Sequence, residues 1–198
     1  MADRETLNVY AARAKEYADR FSSKTPSLYL AAFMLAVKDK GRVLDLGCGT
    51  GQATAFMLAE GLEVDSTDAS PEMASVAKEK FDIDVQIAEF DDLDAEGVYG
   101  GIYANFSLLH APKSEMPKQL ARISKALVPG GIFHIGLKTG EGEHRDSLGR
   151  LYAYYTDAEI TGLLADAGFV VIERNFGVDK GLDGRSAPWI ILLTGKIR

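Results

Sequence analysis

Apolar residues follow two different rhythms along this chain. Over the first 40 residues the spacing is helical. Tyr10 and Tyr17 stand seven residues apart, two turns on one face. Thr25-Pro26 breaks the pattern, and a second helix is predicted over 27–38. Beyond residue 41 short apolar runs alternate with helical stretches. Strands are predicted over 42–46, 62–67, 83–88, 101–105 and 131–137. Helices are predicted over 50–60, ended by Gly61, over a stretch opened by Ser70-Pro71, and over 113–127, stopped at Pro129-Gly130. Thr156 caps a further helix to residue 167, closed by Gly168, and two last strands are predicted over 169–176 and 189–194.

Regular strand–helix alternation predicts an α/β fold with a parallel sheet covered on both faces. The last two strands break the alternation. Residues 177–188 are rich in glycine and charge and show no helical pattern, whereas a parallel pair needs a crossover of about a dozen residues or more, usually a helix. The final strand is therefore predicted to run antiparallel. Residues 1–198 read as one domain, an N-terminal helical cap (1–40) on an α/β core (41–198), with no linker or internal repeat.

Composition narrows the function classes. A net charge of −7 and a pI near 5.0 argue against an electrostatic nucleic-acid binder. The one cysteine, Cys48, forbids an internal disulfide, and three scattered histidines with it make a zinc site unexpected. No apolar run approaches the roughly 18 residues of a membrane span, and the start lacks a signal-type apolar core. A cytoplasmic protein without membrane, nucleic-acid or metal partners is expected.

The candidate chemistry lies in VLDLGCGTG, residues 43–51. Gly47, Gly49 and Gly51 leave bare backbone where the first strand hands over to a helix, the place where open α/β sheets hold ligands. Asp68 ends the next strand, and an ionised carboxylate can accept both hydroxyl protons of a ribose. Together these read as a nucleoside site. The dinucleotide turn, G-x-G-x-x-G, does not fit, because the third glycine arrives one residue early and Gln52 takes its place.

VLDLGCGTG followed by DASPEM resembles the class I S-adenosylmethionine-dependent methyltransferases. The likeness extends to the Glu89-Phe90-Asp91 turn, to KALVPGG before the fifth strand and to the reversed last strand. In feel the chain is similar to tellurite-resistance-type and ubiquinone-biosynthesis-type enzymes acting on small molecules. The resemblance implies a Rossmann-like, doubly wound seven-stranded sheet of order 3-2-1-4-5-7-6, with S-adenosylmethionine as cofactor and S-adenosylhomocysteine as product.

It also implies roles. The glycines would carry the methionine part of the cofactor, Asp45 would sit beneath its ammonium, and Asp68 would hold the ribose. Ala69 and Met73 would flank the adenine, although core packing would explain Met73 equally well. Glu89, Phe90 and Asp91 would receive the adenine edge, with the responsible side chain left open. Asn105, Phe106 and Ser107 would border the transferable methyl, and Tyr10 and Tyr17 would form a lid. Catalytic candidates are His110, Lys138 and Tyr155, none of them assigned. The segment 138–156 and the loop 177–188 read as a substrate wall offering Arg145, Arg150, Tyr154, Arg185 and Trp189.

The expected activity is in-line methyl transfer to a small molecule. The other readings are a binding module that senses the cofactor without turning it over, and, least favoured by the spacing, a nicotinamide-dependent enzyme. Acceptor and oligomeric state are not legible.

Overall fold

Helices begin on caps that the sequence displays. Asp3 accepts the N–H of Thr6, Ser27 that of Leu30, Ser70 that of Met73 and Thr156 that of Glu159, each satisfying a donor the first helical turn leaves free. These open α1 (Arg4–Arg20), α2 (Leu28–Val37), α4 (Pro71–Phe81) and α6 (Asp157–Asp166); α3 (Gln52–Ala59) and α5 (Met116–Ala126) complete the set. The computed structural model describes residues 3–197, so residues 1, 2 and 198 of the expected domain lie outside the described residues.

The main strands are β1 (Val43–Leu46), β2 (Val64–Asp68), β3 (Gln86–Ile87), β4 (Tyr99–Asn105), β5 (Leu127–Lys138), β8 (Phe169–Lys180) and β9 (Ser186–Lys196). They form one seven-stranded sheet in the order β3-β2-β1-β4-β5-β9-β8. Counted within that sheet the order is 3-2-1-4-5-7-6, as the resemblance implied. β9 runs antiparallel to both β5 and β8. A separate hairpin joins β6 (Glu143–Arg145) to β7 (Leu151–Ala153).

Alternation along the strands splits the core in two. Leu44, Leu46, Ile102, Ala104, Phe133, Ile135 and Leu192 pack with α5, α6 and β7 on one face. Val43, Tyr103, Ile132 and Leu193 pack with α2 and Met57 of α3 on the other. The sheet is thus doubly wound.

Three expectations are corrected. Residues 177–188 are not a loop: β8 and β9 stay paired out to Lys180↔Ser186, leaving a short turn. The glycines and charges there belong to an edge strand facing water, which lacks the apolar alternation of a buried one. Residues 138–156 are not an open substrate loop, because most of the segment is the β6–β7 hairpin. The helix predicted over 113–127 is a 3-10 turn at Lys113–Glu115 followed by α5, and Pro129-Gly130 lies inside β5. Proline disfavours helix for the residue before it, so the chain is already extended at Val128.

Candidate active site

β1, β2 and β4 all end at one edge of the sheet, and a cavity of about 600 Å³ opens there, within the usual range for a small-molecule site. The three glycines of the β1–α3 turn are bare for different reasons. Gly49, at φ +56°, faces open space, and its backbone lines the cavity. Gly47 also lines it, at φ +76°, and a side chain there would run into Ser107. Gly51 does not line it. At φ +78° it caps α3, and an added Cβ would lie 2.9 Å from that of Ala77. A glycine here is required by packing and by the positive φ.

Asp68 stands across from the turn. One carboxylate oxygen accepts the Gly49 N–H at 2.7 Å and the other the Ser70 N–H at 2.9 Å, so the acid is fixed with acceptor capacity to spare. Burial raises its pKa, against the lowering effect of those backbone donors. Asp45 lies deeper, 2% exposed. Thr54 Oγ1 donates to it at 2.7 Å. Burial lifts its pKa to about 7, with the charge of Asp68 adding to the rise. Two carboxylates beside bare backbone suit a ligand carrying both hydroxyls and a positive charge.

Ala69, Met73, Glu89 and Phe90 line the same end. Met73 is also core, packed with Val76, Ala14 and Ala18 against Tyr10 and Tyr17. Asp91 does not reach the cavity. It turns to α5, where Gln119 donates to it at 3.1 Å and Lys118 lies 3.3 Å away.

At the exit of β4, Asn105, Phe106 and Ser107 all line the cavity. Phe106 has φ +56°, a conformation side chains rarely adopt, and such outliers concentrate at functional sites. Asn105 Oδ1 accepts from His134 Nε2 at 3.0 Å, and Ser107 Oγ donates to the Leu46 carbonyl at 2.7 Å. The turn is thereby tied to β5 and β1.

The roof is α1. Tyr10 and Tyr17 line the cavity and meet edge-on, with centroids 5.7 Å apart. The Leu151 N–H donates to Thr6 Oγ1 at 2.8 Å, which ties α1 to the hairpin. Inside that junction a polar chain has one possible orientation. The Leu151 carbonyl can only accept, so His110 Nδ1 donates to it at 2.7 Å. Nε2 of the neutral ring is then an acceptor and takes the Tyr10 hydroxyl proton at 2.8 Å. Tyr10 in turn accepts from Arg150 at 2.9 Å. Burial drives the His110 pKa down to about 3, in keeping with a neutral ring. Arg150 is 2% exposed and completes the network by donating twice to one oxygen of Asp146, at 2.6 and 3.0 Å. Removing one partner of such a buried pair costs about 3–5 kcal/mol.

Lys138 and Trp189, opposite each other across β5 and β9, also line the cavity. The other wall candidates lie elsewhere. Arg145 is exposed and pairs with Asp3 at 2.8 Å and Glu5 at 3.2 Å, acting as a latch for α1. Tyr154 stacks on His144, centroids 4.1 Å apart, outside the cavity. Arg185 is exposed in the β8–β9 turn. Tyr155 is wholly buried in the core, its hydroxyl without a hydrogen-bond partner. Cavity residues absent from the sequence-based candidates include Tyr103, Tyr152, Asp179 and Leu182. The alternation of Tyr152 with Tyr154 carried a signal for the first, legible only once the hairpin is known. Among the described residues, no helix is long and apolar enough to cross a membrane.

Residues 43–131 match a family described as a methyltransferase domain. A methyltransferase of Staphylococcus carnosus (strain TM300) is 29% identical over 152 residues, 77% of this chain and 70% of the relative. The cypemycin N-terminal methyltransferase of Streptomyces sp is 35% identical over 133 residues, 63% of this chain but only 54% of that protein. Among solved structures, the Burkholderia thailandensis 1,6-didemethyltoxoflavin-N1-methyltransferase, with bound 1,6-didemethyltoxoflavin and S-adenosylhomocysteine, superposes with a TM-score of 0.78 at 23% identity, covering 98% of this chain and 88% of that one. At that identity the likeness speaks for the fold.

Proposed function

We propose that this chain is a class I S-adenosylmethionine-dependent methyltransferase that transfers a methyl group to a small molecule received in the same cavity as the cofactor; the methyltransferase-domain match over residues 43–131 and the methyltransferase relatives support that reading. The reading rests on one observation above all. The cavity that holds the cradle of Gly47, Gly49 and Asp68 is also lined by Asn105 and Phe106 after β4, Lys138 at the end of β5 and Trp189 of β9. A module that only sensed the cofactor would have no use for that further lining.

The cofactor supplies an electrophilic methyl on a sulfonium whose charge is lost on transfer. The chain's own work is to bind, orient and exclude water. Asp68 takes the ribose hydroxyls. Asp45 would face the ammonium end and, ionised by that neighbour, would offset its charge. Backbone at Gly47 and Gly49 lets the amino-acid part lie close, and Glu89 and Phe90 border the base. Tyr10 and Tyr17 cover the site from α1, and the Asn105–Phe106 turn sets the acceptor's approach. Alignment and exclusion of water can supply several kcal/mol of the acceleration. Nε2 of His110 already accepts from Tyr10, so this histidine positions the tyrosine rather than serving as a free base. The single cysteine and the net charge of −7 support work in the cytoplasm on a diffusible substrate rather than on nucleic acid.

Calorimetric titration of S-adenosylhomocysteine into the protein and into Asp68→Ala tests the pocket. With two hydrogen bonds to a carboxylate lost, affinity should fall about tenfold or more. Unchanged affinity in a variant with native circular dichroism would place the cofactor elsewhere.

A further inference from the structure

Two cations border the acceptor end of the cavity from buried or half-buried positions, and only one is balanced. Nε and one terminal nitrogen of Arg150 are held by Asp146 and the other by Tyr10, so its donors and its charge are engaged. Lys138, the last residue of β5, is half-buried, and its Nζ lies 3.5 Å from the centroid of the Tyr152 ring. Among the described residues no carboxylate lies within 4.0 Å of that ammonium. Burial, and then the charge of Arg150, lower its pKa, which Asp183 and Asp146 oppose from longer range. A desolvated ammonium with no counter-ion is costly, and an anion arriving in the cavity would relieve that cost.

The surroundings of this charge are aromatic. Lys138 and Trp189 are directly opposed in the β5–β9 register, so their side chains share a face. Trp189 donates its indole N–H to Asp179 at 2.8 Å, which satisfies its polar edge. Phe106 meets the indole nearly perpendicularly, at 80° with centroids 6.4 Å apart. Rings in such offset and edge-on positions favour a flat apolar guest. We propose that the methyl acceptor is a small aromatic or heteroaromatic acid, its ring among Phe106, Tyr152 and Trp189 and its anionic group paired with Lys138. This rests on the acceptor entering the cavity that holds the cofactor.

The test uses the full chain saturated with S-adenosylhomocysteine and three probes of one shape, benzoate, benzamide and benzylamine. Trp189 is the only tryptophan in the sequence, so its fluorescence reports occupancy of this end. Benzoate should bind about tenfold or more tighter than benzamide, the scale of a charge-assisted contact, with benzylamine weakest. Lys138→Met should erase the preference for the acid and Lys138→Arg should keep it. Both should hold S-adenosylhomocysteine within about twofold of the parent, as expected of separate subsites. Benzamide or benzylamine binding as tightly as benzoate would overturn the proposal; the latter would assign the site to a cation received by Asp179. A preference that survives in Lys138→Met, or no saturable benzoate binding, would overturn it too. If the parent chain fails to bind S-adenosylhomocysteine, the cofactor reading fails first, and calorimetry separates the two.

Discussion

Replacing Asp45 by Asn should move stability and cofactor affinity in opposite directions. The free carboxyl has its pKa raised from 3.8 to about 7 by burial at 2% exposure. In the unfolded chain it ionises in water near its ordinary value. The fold therefore holds the proton more tightly than the unfolded state does. This contribution is fully present below about pH 3.8 and is lost as pH rises through about 7. At about 1.36 kcal/mol per pH unit, the loss is about 4 kcal/mol when complete, of which roughly 1–1.5 kcal/mol falls between about pH 6 and about pH 8. Asparagine keeps an oxygen to accept from Thr54 and carries no charge to desolvate. The difference in unfolding free energy, Asp45→Asn minus parent, should thus be larger at the higher pH by that roughly 1–1.5 kcal/mol, because the subtraction cancels the titrating groups that do not couple to Asp45. Urea unfolding without cofactor at the two pH values measures it. Binding should respond the other way. Loss of the carboxylate facing the ammonium should weaken S-adenosylhomocysteine about tenfold or more at about pH 8, and the parent's own affinity should fall as pH drops below about 7. A stability difference that is flat with pH, or a variant less stable at about pH 8, would refute the reasoning. It would mean that the buried charge carries no net desolvation cost.

Two further substitutions separate packing from chemistry. Gly51→Ala puts a side chain at φ +78° and 2.9 Å from Ala77, and should destabilise by about 1–3 kcal/mol in urea unfolding while cofactor affinity at saturating fold stays near the parent's. A selective loss of affinity would return this glycine to the binding site. Tyr155→Phe removes a buried hydroxyl that has no partner, so it should leave thermal stability unchanged or raise it slightly and leave methyl transfer intact. A large drop in transfer rate with stability preserved would reinstate Tyr155 as a catalytic group.

The meeting of the glycine turn with Asp68, the end proposed for the cofactor, was legible because its signals are local. A short strand, a bare turn and an acid at the end of the next strand lie within residues 43–68, and backbone geometry alone brings Gly49 and Asp68 to 2.7 Å. The reversed β9 was legible for a related reason: a missing crossover helix constrains topology whatever the side chains are. The strand order followed from the family resemblance. The end proposed for the acceptor was not legible. Arg145, Arg150, Tyr154 and Tyr155 stand close together in sequence, yet only Arg150 reaches the cavity. The β6–β7 hairpin alternates its side chains, and the docking of α1 decides which side is roofed. The meeting of Tyr10 with His110 spans 100 residues, and that of Tyr10 with Arg150 spans 140. No periodicity encodes contacts at such separation. They exist because two surfaces, each unremarkable alone, bury polar groups that only the other can satisfy.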